Sequence, residues 1–121
     1  MSRKDEVAAG EAWRTRASLF AALGDETRLQ LVAKLSLGER CSIAGLSEGS
    51  RLTRQAITKH LRVLENVGLV QGERRGREIL FEFMPKPIED AKGYLASVSG
   101  QWDQVLGRLK SFVENEASDS L

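Results

Sequence analysis

Between Thr53 and Gly68, the apolar residues Ala56, Ile57, Leu61, Leu64 and Val67 recur at the spacing of one helical face. Thr53 is a good N-cap, its side-chain oxygen free to accept an orphan backbone N–H, and Gly68 supplies a stop. A helix with one dry face is stable only when the rest of the chain covers that face. Leu69 and Val70 follow at once, and after a Gly/Arg-rich gap Ile79, Phe81 and Phe83 alternate with Glu78, Leu80 and Glu82. The period of two predicts a β-hairpin over 70–83, with Arg74-Arg75-Gly76-Arg77 as its tip and Gly76 supplying the turn. Upstream, Ser42 can cap a short helix carrying Ile43, Ala44 and Leu46, which ends in Glu48-Gly49-Ser50. Short helix, turn, capped helix and basic-tipped hairpin together make a winged helix-turn-helix.

The flanks read as helix. From Trp13 a stripe of Leu19, Phe20 and Leu23 runs to a stop at Gly24, and residues 1–11, small and charged, are expected to be a flexible arm. Asp25 is the N-cap of the next helix, with Glu26 in its first turn, a stripe of Leu29, Val32 and Leu35, and Gly38 after it. Pro87 suits a helix first turn. The helix after it carries Leu95, Val98, Trp102, Val105, Leu109 and Phe112 at alternating spacings of three and four. The expected fold is mainly α with a small β-hairpin, one domain over 12–116, and a flexible tail at 117–121.

Composition excludes several classes. One Cys permits no internal disulfide, so a reducing, cytoplasmic setting is expected. No apolar run approaches the roughly 20 residues of a membrane span, and the opening MSRKDEVAAGE has no signal-peptide core. No Gly-rich phosphate loop, nucleophile motif or metal-ligand spacing is present, so no enzyme and no cofactor are expected.

The net charge of +1 hides a strong asymmetry. Residues 51–77 hold seven basic residues against two acidic ones, a local +5, and the other 94 residues sum to −4. With the apolar positions of the helix committed to the core, Arg54, Gln55, Thr58, Lys59 and Arg62 are left facing outward. Arg pairs bidentately with guanine and Gln with adenine, while Thr serves bases or phosphate, so this face suits double-stranded DNA. A solvated charged face is the ordinary meaning of such residues on a helix. The repetition of Arg at the hairpin tip favours DNA contact instead.

The stretches LGDETRLQLVAKL, LTRQAITKHLRVLENVGLV and ERRGREILFEF resemble the ArsR-type winged-helix transcriptional regulators. The likeness runs from about residue 13 to 114. It rests on the combination of Gly24-Asp25-x-Thr27-Arg28, Lys59-His60-Leu61-x-x-Leu64 and Val67-Gly68-Leu69-Val70. It implies a homodimeric, usually repressing DNA-binding regulator, with Thr53, Arg54, Gln55, Thr58, Lys59 and His60 on the recognition helix and Arg74, Arg75 and Arg77 on the wing. The tail from Pro87 to Phe112 is similar to a metal-independent branch.

The chain departs from the metal-sensing pattern of that family. Where those members carry Cys-x-Cys, this sequence has Cys41 and then Ile43, and the last helix contains no His. Soft-metal sites need three or four thiolate or imidazole ligands. Cys41, beside Arg40, reads as a small half-buried apolar residue, with a redox thiol as the alternative. His60 has two roles open to it, phosphate contact or packing.

Six apolar residues on the last helix exceed what one small domain can cover. Together with Trp13, Leu19 and Phe20 they are expected to form a twofold interface placing two recognition helices about 34 Å apart on an inverted repeat. Tyr94 and Trp102 read as core or interface aromatics rather than an effector box, and the effector, if one exists, is unknown. The competing class is a protein-interaction module that has kept the fold without binding DNA.

Overall fold

The computed structural model describes residues 3–119 as five helices and three short strands. Two units are distinguished along the chain, 1–88 and 89–121. The first helix, α1 (Arg3–Leu23), starts ten residues earlier than its apolar stripe indicates. Residues 3–11, expected as a flexible arm, are its first turns: Asp5 and Glu6 sit where the helix dipole favours negative charge, and the alanines that follow favour helix. Leu19 and Ala22 are its buried residues.

The second helix, α2 (Glu26–Leu35), begins at Asp25, whose extended backbone turns the side chain back to accept the Arg28 N–H at 3.0 Å. That bond to a backbone N–H holds the Asp25 carboxyl below its ordinary value of 3.8, against a smaller opposing effect of burial. Leu31, Val32 and Leu35 are buried, whereas Leu29, expected in the stripe, is 54% exposed. Gly38, at φ 98°, turns the chain away from the helix.

Cys41–Ser42 forms β1, a strand the sequence does not reveal, and Ser42 also caps α3 (Ile43–Ser47) by accepting the Gly45 N–H at 3.0 Å. Thr53 caps α4 (Arg54–Asn66), accepting the Ala56 N–H at 3.1 Å. Gly68 ends it in the left-handed region, where the Gly68 N–H donates to the Glu65 carbonyl and the Leu69 N–H to that of Leu64. Those two bonds satisfy carbonyls the helix end would leave orphaned.

The hairpin of β2 (Val70–Arg75) and β3 (Glu78–Phe83) has the expected bounds, with Gly76 at φ 63° in a two-residue turn. Register runs from Val70↔Phe83 to Arg75↔Glu78, and β1 joins the other side of β3, giving the antiparallel order β1-β3-β2. Ile57, Leu61 and Leu64 of α4, Leu35 of α2, Leu69 and Val70 of the β2 entry and Phe81 of β3 are almost wholly buried. The last helix, α5 (Lys86–Asp119), starts with Pro87 in its first turn and includes 117–119 of the expected tail. Residues 1–2 and 120–121 lie outside the described residues. No described helix is long and apolar enough to cross a membrane.

Two outcomes follow from these positions. Leu61→Ala, at a fully buried site, should cost about 2–5 kcal/mol in denaturant unfolding, whereas Leu29→Ala should stay within about 0.5 kcal/mol of wild type. The lowered Asp25 value means that its stabilisation is present above 3.8 and fades as the pH falls through the folded value. Thermal melts of Asp25→Asn, which keeps a capping oxygen without the charge, should therefore lose less stability below about pH 4 than wild type.

Candidate nucleic-acid interface

With its dry face committed to the core, α4 turns Arg54, Gln55, Lys59 and Arg62 to solvent. Thr58 is half-buried, and its hydroxyl donates to the Arg54 carbonyl at 2.7 Å. An open groove runs between α4 and the hairpin. Arg54, Gln55, Thr58 and Lys59 line it from the helix, Arg77, Glu78 and Ile79 from the wing, and Ser42, Ile43 and Ala44 from β1 and α3. The last three are read from the sequence as the short helix and its cap but not as site residues; the Ser42 cap was the available signal, because it fixes where α3 meets the sheet.

The two acidic residues of the basic stretch are both engaged. Glu65 Oε1 accepts from Arg62 Nη1 at 3.1 Å, three residues back along the helix. Glu73 Oε1 lies 3.6 Å from Arg75 Nε, and its other oxygen is 3.4 Å from Arg40, which also donates to Glu82 at 2.7 Å. Among the described residues, Arg51, Arg54, Lys59, Arg74 and Arg77 have no carboxylate partner, so the local +5 resides on these five. Strand alternation sets the wing arginines apart: Arg74 shares the face of Val70 and Gly72, and Arg75 the opposite face with Glu73.

His60 takes the inward alternative. Its Nδ1 lies 3.3 Å from Arg28 Nη1 and 3.8 Å from Asp25 Oδ2. A guanidinium only donates, so a hydrogen bond there has the ring nitrogen as its acceptor. Arg28 also donates through Nε to the Ala22 carbonyl at 2.6 Å and through Nη2 to that of Ala21, satisfying the C-terminal end of α1. The Gly-Asp-x-Thr-Arg segment and His60 are thus one polar joint between α1, α2 and α4. Thr53, likewise, spends its hydroxyl oxygen on the α4 cap.

Of the residues assigned to a twofold interface, Leu19 is already buried within the single chain, at 5% exposure. Trp13, with Arg16 over its ring at 5.3 Å, and Phe20 are exposed on α1. On α5, Leu95, Trp102, Val105, Leu109 and Phe112 are exposed, Trp102 to 62%, and Val98 is half-buried. Val7, Leu106 and Val113 are exposed too and fall outside the stripe read from spacing. Cys41 is half-buried, its Sγ 3.7 Å from the Glu39 carbonyl.

Comparison with known proteins agrees with this architecture. The family described as bacterial regulatory protein, arsR family, matches residues 25–71, from the α2 cap into β2. An uncharacterized HTH-type transcriptional regulator of Bacillus subtilis, YuzN, is 35% identical over 85 residues, covering 64% of this chain and 92% of the relative. The HTH-type transcriptional repressor SmtB of Mycobacterium tuberculosis is 34% identical over 63 residues, 52% of this chain and 46% of the relative. The chain therefore spans nearly all of the first relative and about half of the second. A solved ArsR-like transcriptional regulator from Rhodococcus sp. RHA1 superposes with a TM-score of 0.72 at 33% identity, over 84% of this chain and 95% of that one. With its winged helix-turn-helix and its likeness to the Bacillus relative and the Rhodococcus structure along almost their whole length, the chain belongs to the arsR family of bacterial regulatory proteins: DNA-binding transcriptional regulators, not enzymes.

Proposed function

We propose that the chain is a homodimeric cytoplasmic repressor that reads an inverted-repeat operator through helix 53–67 and the wing 70–83, without a metal sensor site. The observation that carries this is the groove between α4 and the wing, where Arg54, Gln55, Thr58, Lys59 and Arg77 are gathered with Glu78 as the one acidic lining residue. Arg and Gln supply bidentate donors and acceptors for base edges, and the wing arginines supply charge for the phosphate backbone. Likeness to SmtB, itself a transcriptional repressor, supports repression as the outcome of binding.

The apolar exposure of α1 and of α5 supports a dimer, since each leaves large aromatic area wet in a single chain. The absence of a metal sensor is supported by ligand chemistry. One Cys and one His are present, and that His is engaged by Arg28 and Asp25. Two thiols pooled across a dimer fall short of the three or four soft ligands such a site needs.

Selection of bound fragments from random-sequence DNA, followed by affinity measurement across a salt series, tests the DNA site. Arg54→Ala or Gln55→Ala should cost about 1–3 kcal/mol on the selected duplex and relax preference at particular bases. Arg77→Ala should weaken selected and random duplexes alike and reduce the salt slope by about one. Arg75→Ala, already close to Glu73, should do less than Arg77→Ala. Unchanged binding of both duplexes by Arg54→Ala would overturn the assignment of α4. Light scattering at micromolar concentration should give the dimer mass for wild type and a shift toward monomer for Trp102→Asp; a monomeric wild type would falsify the twofold interface.

A further inference from the structure

Glu65 connects α4 to the wing. While its Oε1 accepts from Arg62, its Oε2 accepts the backbone N–H of Gly72 in β2 at 3.1 Å. β2 is an outer strand of the sheet, so one of its edges has no strand partner and its backbone donors there need another acceptor. A carboxylate makes a strong one, because a hydrogen bond to a charged acceptor is shorter and stronger than one between neutral groups.

Glycine at 72 is the other half of the arrangement. A Cβ there would lie 2.9 Å from Phe81 Cε1, 3.2 Å from Ile79 Cγ2 and 3.3 Å from Glu65 Oε2. The strand backbone can approach both the buried Phe81 ring and the Glu65 carboxylate only where no side chain intervenes. Arg62, meanwhile, is a solvent-facing cation at i+8 from Arg54 on the outward side of α4, yet its guanidinium already has an anion beside it. A phosphate approaching Arg62 must displace that carboxylate and is repelled by it.

Resting on DNA binding by α4 and the wing, we infer that Glu65 is a positioning residue of this surface: it ties the wing to the recognition helix and withholds Arg62 from the phosphate backbone. Sequence-independent affinity comes from phosphate neutralisation and base preference from groove contacts. Holding back one phosphate-binding cation therefore tilts the surface toward base reading. Arg54 and Gln55, whose side chains are paired with no carboxylate among the described residues although Glu78 lines the same groove, are left to do that reading.

Glu65→Gln separates the two actions from simple stability, because its amide oxygen can still accept the Gly72 N–H while the charge beside Arg62 is gone. The probes are a duplex selected from random-sequence DNA and a random-sequence duplex of equal length. Glu65→Gln should bind the random duplex about 3- to 10-fold more tightly, with a salt slope steeper by about one per protomer, and should lower the ratio of selected to random affinity. Adding Arg62→Ala should abolish that gain. In the free protein, Gly72 amide exchange should stay near wild type in Glu65→Gln and become at least about tenfold faster, relative to Leu80 and Phe81, in Glu65→Ala.

Wild-type salt slope and random-duplex affinity in Glu65→Gln, or equal weakening of both duplexes, would overturn the inference while leaving DNA binding intact. So would an unchanged Gly72 exchange rate in a folded Glu65→Ala, and Glu65→Gln decides the matter where Glu65→Ala unfolds. Failure of the wild-type protein to bind either duplex would overturn DNA recognition by this face, and the role of Glu65 with it.

Discussion

Burial of one face of α4 is the constraint on which the rest of the first unit depends. Ile57, Leu61 and Leu64 are dry together with Leu35, Leu69, Val70 and Phe81, so the helix, α2 and the sheet exclude water jointly. Once that face is fixed, the helical period leaves no freedom over which residues look outward. Arg54, Gln55, Lys59 and Arg62 are presented because Ile57, Leu61 and Leu64 cannot be. The caps at both ends serve the same purpose: Thr53 sets where the first turn starts, and Gly68 sends the chain into β2 at Leu69.

Charge is distributed on this scaffold with the same economy. Glu65 pairs with Arg62 and reaches the wing at Gly72, and Glu73, itself on the wing, pairs with Arg75 and Arg40, so both act as struts as well as counter-ions. Such exposed pairs contribute little stability individually. Their consequence is positional: they decide which cations face solvent with a carboxylate beside them and which do not. The seven basic residues of this stretch are thereby patterned, Arg62 and Arg75 beside carboxylates and the other five without such a pair among the described residues. His60 and Arg28 show a parallel division, since both lie in the motifs on which the family resemblance rests, yet their contacts join α1, α2 and α4.

Much of this was legible without coordinates where periodicity was long and caps were strong. The α4 stripe, the Asp25, Ser42 and Thr53 caps and the 70–83 hairpin were all read at their observed places. Where the pattern was short or absent, the reading slipped. The first turns of α1 bury nothing among the described residues, so no apolar stripe marks them, while helix propensity and the charge of Asp5 and Glu6 favour the helix there. β1 is two residues long and has no period to detect. In α2 the spacing points to Leu29, Val32 and Leu35 as the dry set, whereas the neighbouring elements bury Leu31 with Val32 and Leu35.

Fold type, family and basic face were written in the chain itself, because spacing, capping and local charge are properties of neighbours along it. How those side chains are employed was settled only in three dimensions: that His60 turns to Arg28, that Leu19 is core, that Gly72 receives Glu65, and that Arg62 and Arg75 are paired while Arg54 and Arg77 are not. The reason is physical. A hydrogen bond or ion pair acts over a few ångströms in space. Arg28 and Glu65 reach His60 and Gly72 from positions no period of the chain connects. Even the close neighbours Glu65 and Glu73 meet Arg62 and Arg75 only through the side-chain geometry the fold sets.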